Sequence, residues 1–398
     1  MTTTTPRASV RTLLPLAVVT GTSMLAMDLY LPAVPALQAS LSTSVAAAQA
    51  TVAVFLAGLA ASQLLWGAAL NRFGPRRCVQ VSVVLLVLAS IGCALAGDIA
   101  MLLAMRLLQG LAAGAATVVV PSVVRATLDD EDAVRGMATI AMSESSVPAA
   151  GPVLGTALLT VADWRATFWV LAGLSLAVLP FAVRATPLRL PGLANTQPAS
   201  LWALLRDQRF MRLAASHALC IGALLTFVAS APQLLHHALG QDVAAFATLQ
   251  VLGVASFMLM ASQSARFSRR LGLGGAVRVG ALAQVGLCLA LLTAATFDGV
   301  SLLVLALFWS GFCGTTAVRG PPAFSDALDV APAQMGRAAA LLTLALLAAG
   351  ALGTQAVAPF MGGRSVVPLA AALLLMCVLS LLLVTPYPRK VARLPAAP

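Results

Sequence analysis

Three ionisable side chains interrupt long apolar runs of this 398-residue sequence: Asp28 in the first run, Arg106 in the fourth and Glu144 in the fifth. An ionised group in hydrocarbon costs at least about 2.5 kcal/mol, so it normally faces a cavity or a partner and marks an ion or substrate path. We therefore predict that Asp28 is a proton or cation site in a membrane transporter. The other segments are expected to build and gate a cavity around it.

The two opposite charges of Asp28 and Arg106 are predicted at similar depths. At 1.5 Å per residue, Asp28 lies about 24 Å along its helix, and Arg106 lies about 10 Å from the outer end of its own. Since a buried charge needs a partner, we expect Arg106 to pair with Asp28, directly or through water. The alternative is a structural arginine that is bonded to backbone carbonyls.

Glu144 is a second carboxylate inside a span, about 10 Å from the inner surface. It would neutralise a cationic or amine-bearing substrate, and whether proton and cargo share Asp28 or divide between the two acids stays open. Proline follows each acid at the fourth position, as Pro32 and Pro148. Because proline removes the hydrogen bond to the carbonyl four residues earlier, each site is predicted to carry an unpaired backbone acceptor.

The composition defines the class of protein. The chain is 60% hydrophobic and 9% charged, with a mean hydropathy of +0.96, whereas soluble domains are about 45–50% apolar and about 25% charged. Taking about 20 apolar residues as one crossing, we predict an all-α membrane protein with twelve transmembrane helices. The predicted spans are 12–37, 46–70, 79–97, 99–124, 137–161, 166–185, 211–236, 244–264, 276–296, 299–318, 336–361 and 365–385.

The formal charge of +11 raises the question of nucleic-acid binding, but the basic residues fall in short clusters between apolar runs. With the N-terminus inside, 21 of the 24 basic residues, Arg319 among them, lie in cytoplasmic segments. This asymmetry is what the positive-inside rule requires. We therefore exclude a nucleic-acid partner and predict a multi-pass protein of the bacterial cytoplasmic membrane with both termini in the cytoplasm.

Residues suited to other chemistry are missing from the sequence. The six cysteines are scattered without a CxxC pair, and no histidine spacing suits zinc. No Ser/His pair or phosphate-binding glycine loop occurs at a useful position. We therefore expect neither an enzyme nor a bound metal or cofactor, with protons as the coupling ion.

Landmark residues recur at an offset of 198 to 201 positions, near half the chain length. The matched landmarks are Arg72 and Gly74 with Arg270 and Gly272, Gly110 with Gly311, Pro121 with Pro322, and Gly136 with Gly336. Parallel six-helix repeats are a known transporter plan, in which substrate binds between the halves near the midplane. We predict an N-terminal bundle over residues 1–185, a cytoplasmic linker over 186–210 and a C-terminal bundle over 211–398, which act as a monomer.

Two further segments are candidates for gating and packing. GAALNRFGPRRC, residues 67–78, is predicted to be a gating loop between the second and third helices; its candidate residues are Gly67, Asn71, Arg72, Gly74, Arg76 and Arg77. AAGPVLG, residues 149–155, carries glycines at a spacing that allows close helix contact; the candidate residues of this fifth-helix motif are Pro148, Gly151, Pro152 and Gly155. The alternatives are a simple topology signal for the loop and a packing seam without a role in coupling.

Together these motifs resemble those of the major facilitator superfamily, specifically the Bcr/CflA-like drug:proton antiporters that include chloramphenicol and florfenicol exporters. MDLYLPAVPAL looks like that group's helix 1 signature, and MRLLQGLAAGAA looks like its helix 4 signature. GAALNRFGPRR and AAGPVLG are similar to its loop 2-3 and helix 5 motifs, and DWRATFW resembles its start of helix 6. One position departs from the pattern, because Asn71 stands where the loop signature normally has aspartate, which puts a latching role for this loop in doubt.

The resemblance implies a function as well as a fold. On it, Tyr30, Pro32, Gln109 and Gly110 are cavity or signature residues of the first and fourth helices. The implied activity is proton-coupled efflux of small, mostly apolar drugs such as phenicols by alternating access, which makes small molecules, protons and the lipid bilayer the partners. The alternative is an exporter of an endogenous metabolite or amino-acid derivative with the same fold.

Overall fold

The structure, a computed structural model, describes residues 14–128, 130–190, 201–330 and 334–387. All regular secondary structure in these ranges is helical, and the long helices number twelve. The first half contains α1 (Leu14–Ser40), α2 (Val45–Phe73), α3 (Pro75–Ala94), α4 (Ile99–Thr127), α5 (Asp130–Leu159) and α6 (Arg165–Ala185). The second half contains α7 (Gln208–Leu239), α8 (243–271), α9 (273–296), α10 (Leu302–Ala327), α11 (Met335–Phe360) and α12 (Val367–Leu383).

The lengths of these helices agree with a membrane protein. Nine described helices are long and apolar enough to cross a membrane, and one of them, Val243–Thr296, bends at Gly272 into α8 and α9. Two shorter apolar helices, in α5 and α12, complete the set of twelve. The prediction of twelve spans is therefore confirmed. Residues 191–200 of the predicted linker lie outside the described residues, and a short helix, Leu201–Arg206, precedes α7.

Two sharp turns demonstrate the internal repeat. Gly74 joins α2 to α3 with φ 79° and ψ 166°, and Gly272 joins α8 to α9 with φ 71° and ψ 164°. Glycine adopts this region of backbone space without strain, whereas other residues essentially do not. The two-repeat architecture predicted from the sequence is thus visible as the same backbone break at equivalent positions of both halves.

The two halves meet along pairs of helices that the repeat relates to each other. Between the halves, α2 packs against α11 and α5 packs against α8. At the side that the predicted topology makes the outer one, the Gln38 side chain accepts a hydrogen bond from Nε2 of Gln233 at 3.0 Å. Thr156 on α5 donates to the carbonyl oxygen of Val243 on α8 at 3.3 Å. Hydrogen bonds therefore join the two halves at the side that the predicted topology places outside.

Several acidic residues are explained by the ends of helices. Asp98, Asp207 and Asp242 each accept hydrogen bonds from backbone N–H groups at the start of α4, α7 and α8. These groups would otherwise lack partners, and such caps stabilise a helix by about 1 kcal/mol. Asp326, near the end of α10, pairs with Arg209 instead. These four acids therefore stabilise the ends of helices and a contact between α7 and α10.

Candidate substrate cavity

A cavity of about 340 Å³ lies between the two halves, within the range of about 300–1,000 Å³ typical of small-molecule sites. The first half lines it with Ser23, Met24, Met27, Asp28, Phe55, Leu59, Ala113, Thr117, Glu144 and Pro148. The second half lines it with Leu224, Leu225, Val228, Gln250, Gly253, Val254, Phe257, Trp309 and Cys313. The wall is mostly apolar, and its two charged residues, Asp28 and Glu144, both belong to the first half.

Asp28 lies where α1 is interrupted. The first segment of α1 ends at Asp28, and the chain continues after one turn as a 3₁₀ helix, Leu31–Ala33, whose second residue is Pro32. The side chain is 8% exposed, and no described residue donates a hydrogen bond to its carboxylate or places a cation within 4 Å of it. Since the cavity wall includes Asp28, the carboxylate of Asp28 is available to a proton or a ligand.

The fifth-helix glycines bring α5 directly against this interruption. A Cβ atom at Gly151 would lie 2.6 Å from the Cβ of Asp28, and one at Gly155 would lie 2.2 Å from the carbonyl oxygen of Leu29. Real Cβ atoms do not approach other atoms so closely, so a larger residue would push the two helices apart. Pro152, on the intervening turn, is buried as well. The motif therefore sets the distance between α5 and the Asp28 segment.

Arg106 on α4 is completely buried behind the cavity wall. Its Nη1 donates to the carbonyl oxygen of Ala26 at 2.9 Å and to Oε1 of Gln109 at 2.5 Å, and its Nε donates to the carbonyl oxygen of Thr51 at 3.3 Å. The guanidinium carbon also lies over aromatic rings, 4.4 Å from that of Phe55, 4.5 Å from that of Tyr30 and 5.9 Å from that of Phe168. Such cation–π contacts stabilise a desolvated cation by about 2 kcal/mol.

These contacts correct the predicted direct partnership of Arg106. The structure contains no ion pair between Arg106 and Asp28, and the arginine is bonded to backbone carbonyls and an amide, as in the alternative. One of those carbonyls belongs to Ala26, two residues before Asp28. Arg106 therefore fixes the backbone of α1 next to the acid and leaves the carboxylate itself unpaired.

The other signature residues also lie behind the wall rather than in it. The hydroxyl of Tyr30 shares a hydrogen bond of 2.5 Å with the Thr51 hydroxyl, and Gln109 donates to Oγ of Ser90 at 2.8 Å. Gly110 lies at the contact of α4 with α2, close to the Phe55 carbonyl. Pro32 lines a separate small pocket at the outer seam. None of these four candidates, Tyr30, Pro32, Gln109 and Gly110, is among the residues that line the central cavity.

Glu144 and Pro148 lie one turn apart on α5, and both line the cavity. Glu144 is half-buried, and no described residue pairs with its carboxylate. The structure thus brings both predicted acids to one cavity. It does so from two helices, since Asp28 comes from α1 and Glu144 from α5.

The predicted gating loop is mostly helical. Gly67, Asn71 and Arg72 belong to α2, while Arg76 and Arg77 belong to the first turn of α3, so Gly74 alone connects the helices. Arg76 donates through Nε to the carbonyl oxygen of Thr186, just after α6, at 2.8 Å. The segment is therefore a tight corner between two helices, and Arg76 connects it to the residue after α6.

A second buried arginine was misplaced by the sequence analysis. Arg319, predicted in a cytoplasmic turn, lies inside α10 and is 0% exposed. It donates to Oε1 of Gln284 at 2.7 Å and to the hydroxyls of Ser216 and Ser380, each at 3.0 Å. The double proline after it reads as the end of a helix, yet α10 continues through Pro321 and Pro322. The internal repeat matches Pro322 with Pro121, and Pro121 lies inside α4. This match indicated that the tenth helix also continues past its prolines.

Twelve membrane-crossing helices in two related halves, with a cavity between them, follow the plan of secondary transporters that are built from parallel repeats. The chain belongs to the Major Facilitator Superfamily, whose family model matches residues 16–354.

Solved structures share the fold at low sequence identity. The POT family transporter PepTSo aligns with a TM-score of 0.77 and 13% identity, covering 95% of this chain and 98% of that one. A D-xylose-proton symporter aligns with a TM-score of 0.73 and 16% identity, covering 94% and 97% of the two chains. At these identities the likeness concerns the fold alone.

Among named relatives, multidrug resistance protein MdtL from Escherichia coli O6:K15:H31 (strain 536 / UPEC) is 31% identical over 229 residues. MdtL from Escherichia fergusonii is also 31% identical over 229 residues. The match covers 57% of this chain and 58% of each relative. It therefore spans little more than half the length of the relatives.

Proposed function

We propose that the protein exports small, mostly apolar compounds across the bacterial cytoplasmic membrane in exchange for protons, with both chain termini in the cytoplasm. The observation that carries the proposal is the unpaired carboxylate of Asp28 in an apolar cavity between two related halves. The named relatives, which are multidrug resistance proteins, support drugs as the cargo. Phenicols, which are small and aromatic, are the first compounds to test.

Protonation of Asp28 would shift the equilibrium between two conformational states of the transport cycle. A charged carboxylate is costly to bury in an apolar site, whereas a neutral one costs much less. The charged form therefore favours the state in which the cavity is open to water, and the protonated form favours a closed, dry state. A ligand or proton shifts such an equilibrium only by its difference in affinity between the states, and Asp28 supplies that difference.

The proton gradient and membrane potential would provide the driving force. Moving one elementary charge across 100 mV supplies about 2.3 kcal/mol. That energy supports an accumulation ratio of tens when one charge moves per cycle. Arg106 contributes as a positioning residue, because its bond to the Ala26 carbonyl holds the segment of α1 that carries Asp28.

The test is uphill efflux in everted membrane vesicles that carry Asp28→Asn. We expect drug-dependent proton movement and accumulation to be abolished, while the amount of protein in the membrane stays at the wild-type level. Asp28→Glu is the matched control, since it retains a carboxylate and is expected to keep part of the activity. Uphill transport by Asp28→Asn that still collapses with a protonophore would refute the proton site.

The alternative cargo is an endogenous metabolite or amino-acid derivative. Gln250 favours it, because the side chain lines the cavity and its Oε1 is buried without a hydrogen-bond partner in the described chain. A buried acceptor of this kind is costly unless a ligand donor satisfies it. Growth inhibition by a drug panel, compared between cells with wild-type protein and with Asp28→Asn, separates the two cargoes. Equal inhibition by every drug favours the metabolite.

A further inference from the structure

We propose that Glu144 forms a cation subsite that is separate from Asp28. The subsite would hold the positive nitrogen of an aromatic ammonium compound while the Asp28 carboxylate remains free for a proton. The inference rests on the proposed function for its biological meaning, since it names a substrate class for the same cavity. Its test measures binding alone and does not require transport.

The first step is the distance between the acids. Asp28 lies beside Gly151 on α5, and Glu144 lies seven residues earlier on the same helix. Seven residues of α-helix span about 10 Å. Helical side chains also tilt toward the N-terminus of their helix, which carries the Glu144 carboxylate further from Gly151. One small ammonium group is therefore too short to contact both acids.

The second step is what faces Glu144 across the cavity. The hydrogen bond between Thr156 and Val243 fixes the register of α5 against α8. From this point, Glu144 lies twelve residues along α5, or about 18 Å. Phe257 lies fourteen residues along α8, or about 21 Å in the same direction. Both side chains line the cavity, so a carboxylate and a phenyl ring stand at nearly the same depth on opposing helices.

The third step is the charge of the wall. No basic residue is among the described residues that line the cavity, and Arg106 is held behind the wall by carbonyls and rings. Glu144 has no partner among the described residues. An unpaired carboxylate with an aromatic ring at a similar depth across the cavity attracts an organic cation, which gains charge neutralisation from the one and a cation–π contact from the other. The wall near Asp28 provides the apolar surface for the aromatic part of the ligand.

Binding is measured by calorimetry on the full-length protein in neutral detergent. The probe is benzyltrimethylammonium, whose charge is independent of pH, and chloramphenicol is the uncharged comparator. We expect Glu144→Gln to weaken binding of the ammonium at least about tenfold, which is about 1.4 kcal/mol. The same variant is expected to leave binding of chloramphenicol unchanged. Asp28→Asn is expected to leave binding of the ammonium within about threefold of wild type, or about 0.7 kcal/mol.

The other outcomes overturn the subsite. A tenfold loss with Asp28→Asn and none with Glu144→Gln would place the cation at Asp28. Equal losses with both variants would indicate one shared site, and no binding of the ammonium to monodisperse wild-type protein would remove the subsite altogether. A variant that weakens binding of both ligands equally indicates a damaged cavity. In that case Glu144→Asp, which retains the charge, is compared with Glu144→Gln: stronger binding of the ammonium by Glu144→Asp supports the subsite, and equal binding overturns it. Failure of the proposed function is separate, because it appears as absent efflux with this binding pattern intact.

Discussion

The two halves each bury one arginine completely, and the surroundings of these two side chains differ. Arg106 on α4 lies among three aromatic rings and donates to the Ala26 carbonyl, next to the acid that faces the cavity. Arg319 on α10 lies among hydroxyls and an amide of α7, α9 and α12. Neither has a carboxylate partner in the described chain.

The two arginines differ in whether the residues that they contact also line the cavity. Phe55, which contacts Arg106, also lines the cavity, whereas Gln284, Ser216 and Ser380, which bind Arg319, do not. Both acids of the cavity belong to the first half as well. The first half therefore carries the charged groups of the cavity, while the second half contributes an apolar and aromatic wall. Arg319 connects the helices of the second half behind that wall.

The largest expected effect comes from replacing each arginine by lysine. Lysine presents a compact charge without the planar fork, so it cannot reach two carbonyls and an amide while lying flat against rings. We expect Arg106→Lys to reduce efflux more than tenfold, with a loss of about 1–3 kcal/mol for each acceptor left unpaired. Arg319→Lys is expected to lower stability by a similar amount and to retain most efflux at a permissive temperature.

Thermal stability in this comparison can be followed with a thiol-reactive dye, since the six cysteines are free and buried. Efflux is then compared at equal amounts of folded protein. A greater loss of efflux with Arg319→Lys than with Arg106→Lys would contradict the conclusion that the first half carries the charged chemistry.

The second comparison concerns the helix contacts that the repeat relates, α1 with α5 and α7 with α11. A Cβ at Gly151 would meet the Asp28 Cβ at 2.6 Å and the adjoining backbone, whereas one at Gly350 would meet the Leu225 side chain at 2.8 Å. A new rotamer of Leu225 would remove the contact with its Cδ1 but not the one with its Cβ, which is also at 2.8 Å, whereas at Gly151 the backbone of Asp28 and Leu29 adds to the clash. We expect Gly151→Ala to reduce efflux several-fold, because it displaces the segment of α1 that carries Asp28, and Gly350→Ala to reduce it less, as measured in vesicles. Equal effects would show that the α1–α5 contact has no special role.

Much of the fold followed from the sequence, because its determinants are local. Apolar runs of about 20 residues and the asymmetry of basic residues define the helices, and the glycine landmarks Gly74 and Gly272 mark the repeat. The positions of Asp28 and Glu144 inside spans were sufficient to select the two acids of the cavity. These signals require no knowledge of how helices pack.

The partners of buried groups required packing that spacing does not determine. Arg106 and Asp28 share a depth, yet the arginine points into a cage built from α1, α2 and α6, where two carbonyls accept its hydrogen bonds and three rings lie against it. Tyr30 follows Asp28 by two residues but lies behind the wall, since the interruption of α1 changes the direction of successive side chains. Arg319 was misplaced because the predicted tenth span ended at residue 318, although α10 continues to Ala327.

The smallest expected difference lies between the two glycine corners. Alanine at Gly74 or at Gly272 would be forced into a region of φ and ψ that costs about 1–3 kcal/mol. At Gly74 the added Cβ would also lie 2.6 Å from the carbonyl oxygen of Leu188, whereas at Gly272 no atom lies within 4 Å. We therefore expect Gly74→Ala to lower the melting temperature by more than Gly272→Ala, in the same thiol assay. The additional loss expected at Gly74 comes from the contact with Leu188, which lies in the segment after α6. Equal decreases in melting temperature would therefore show that this segment moves aside and does not support the corner.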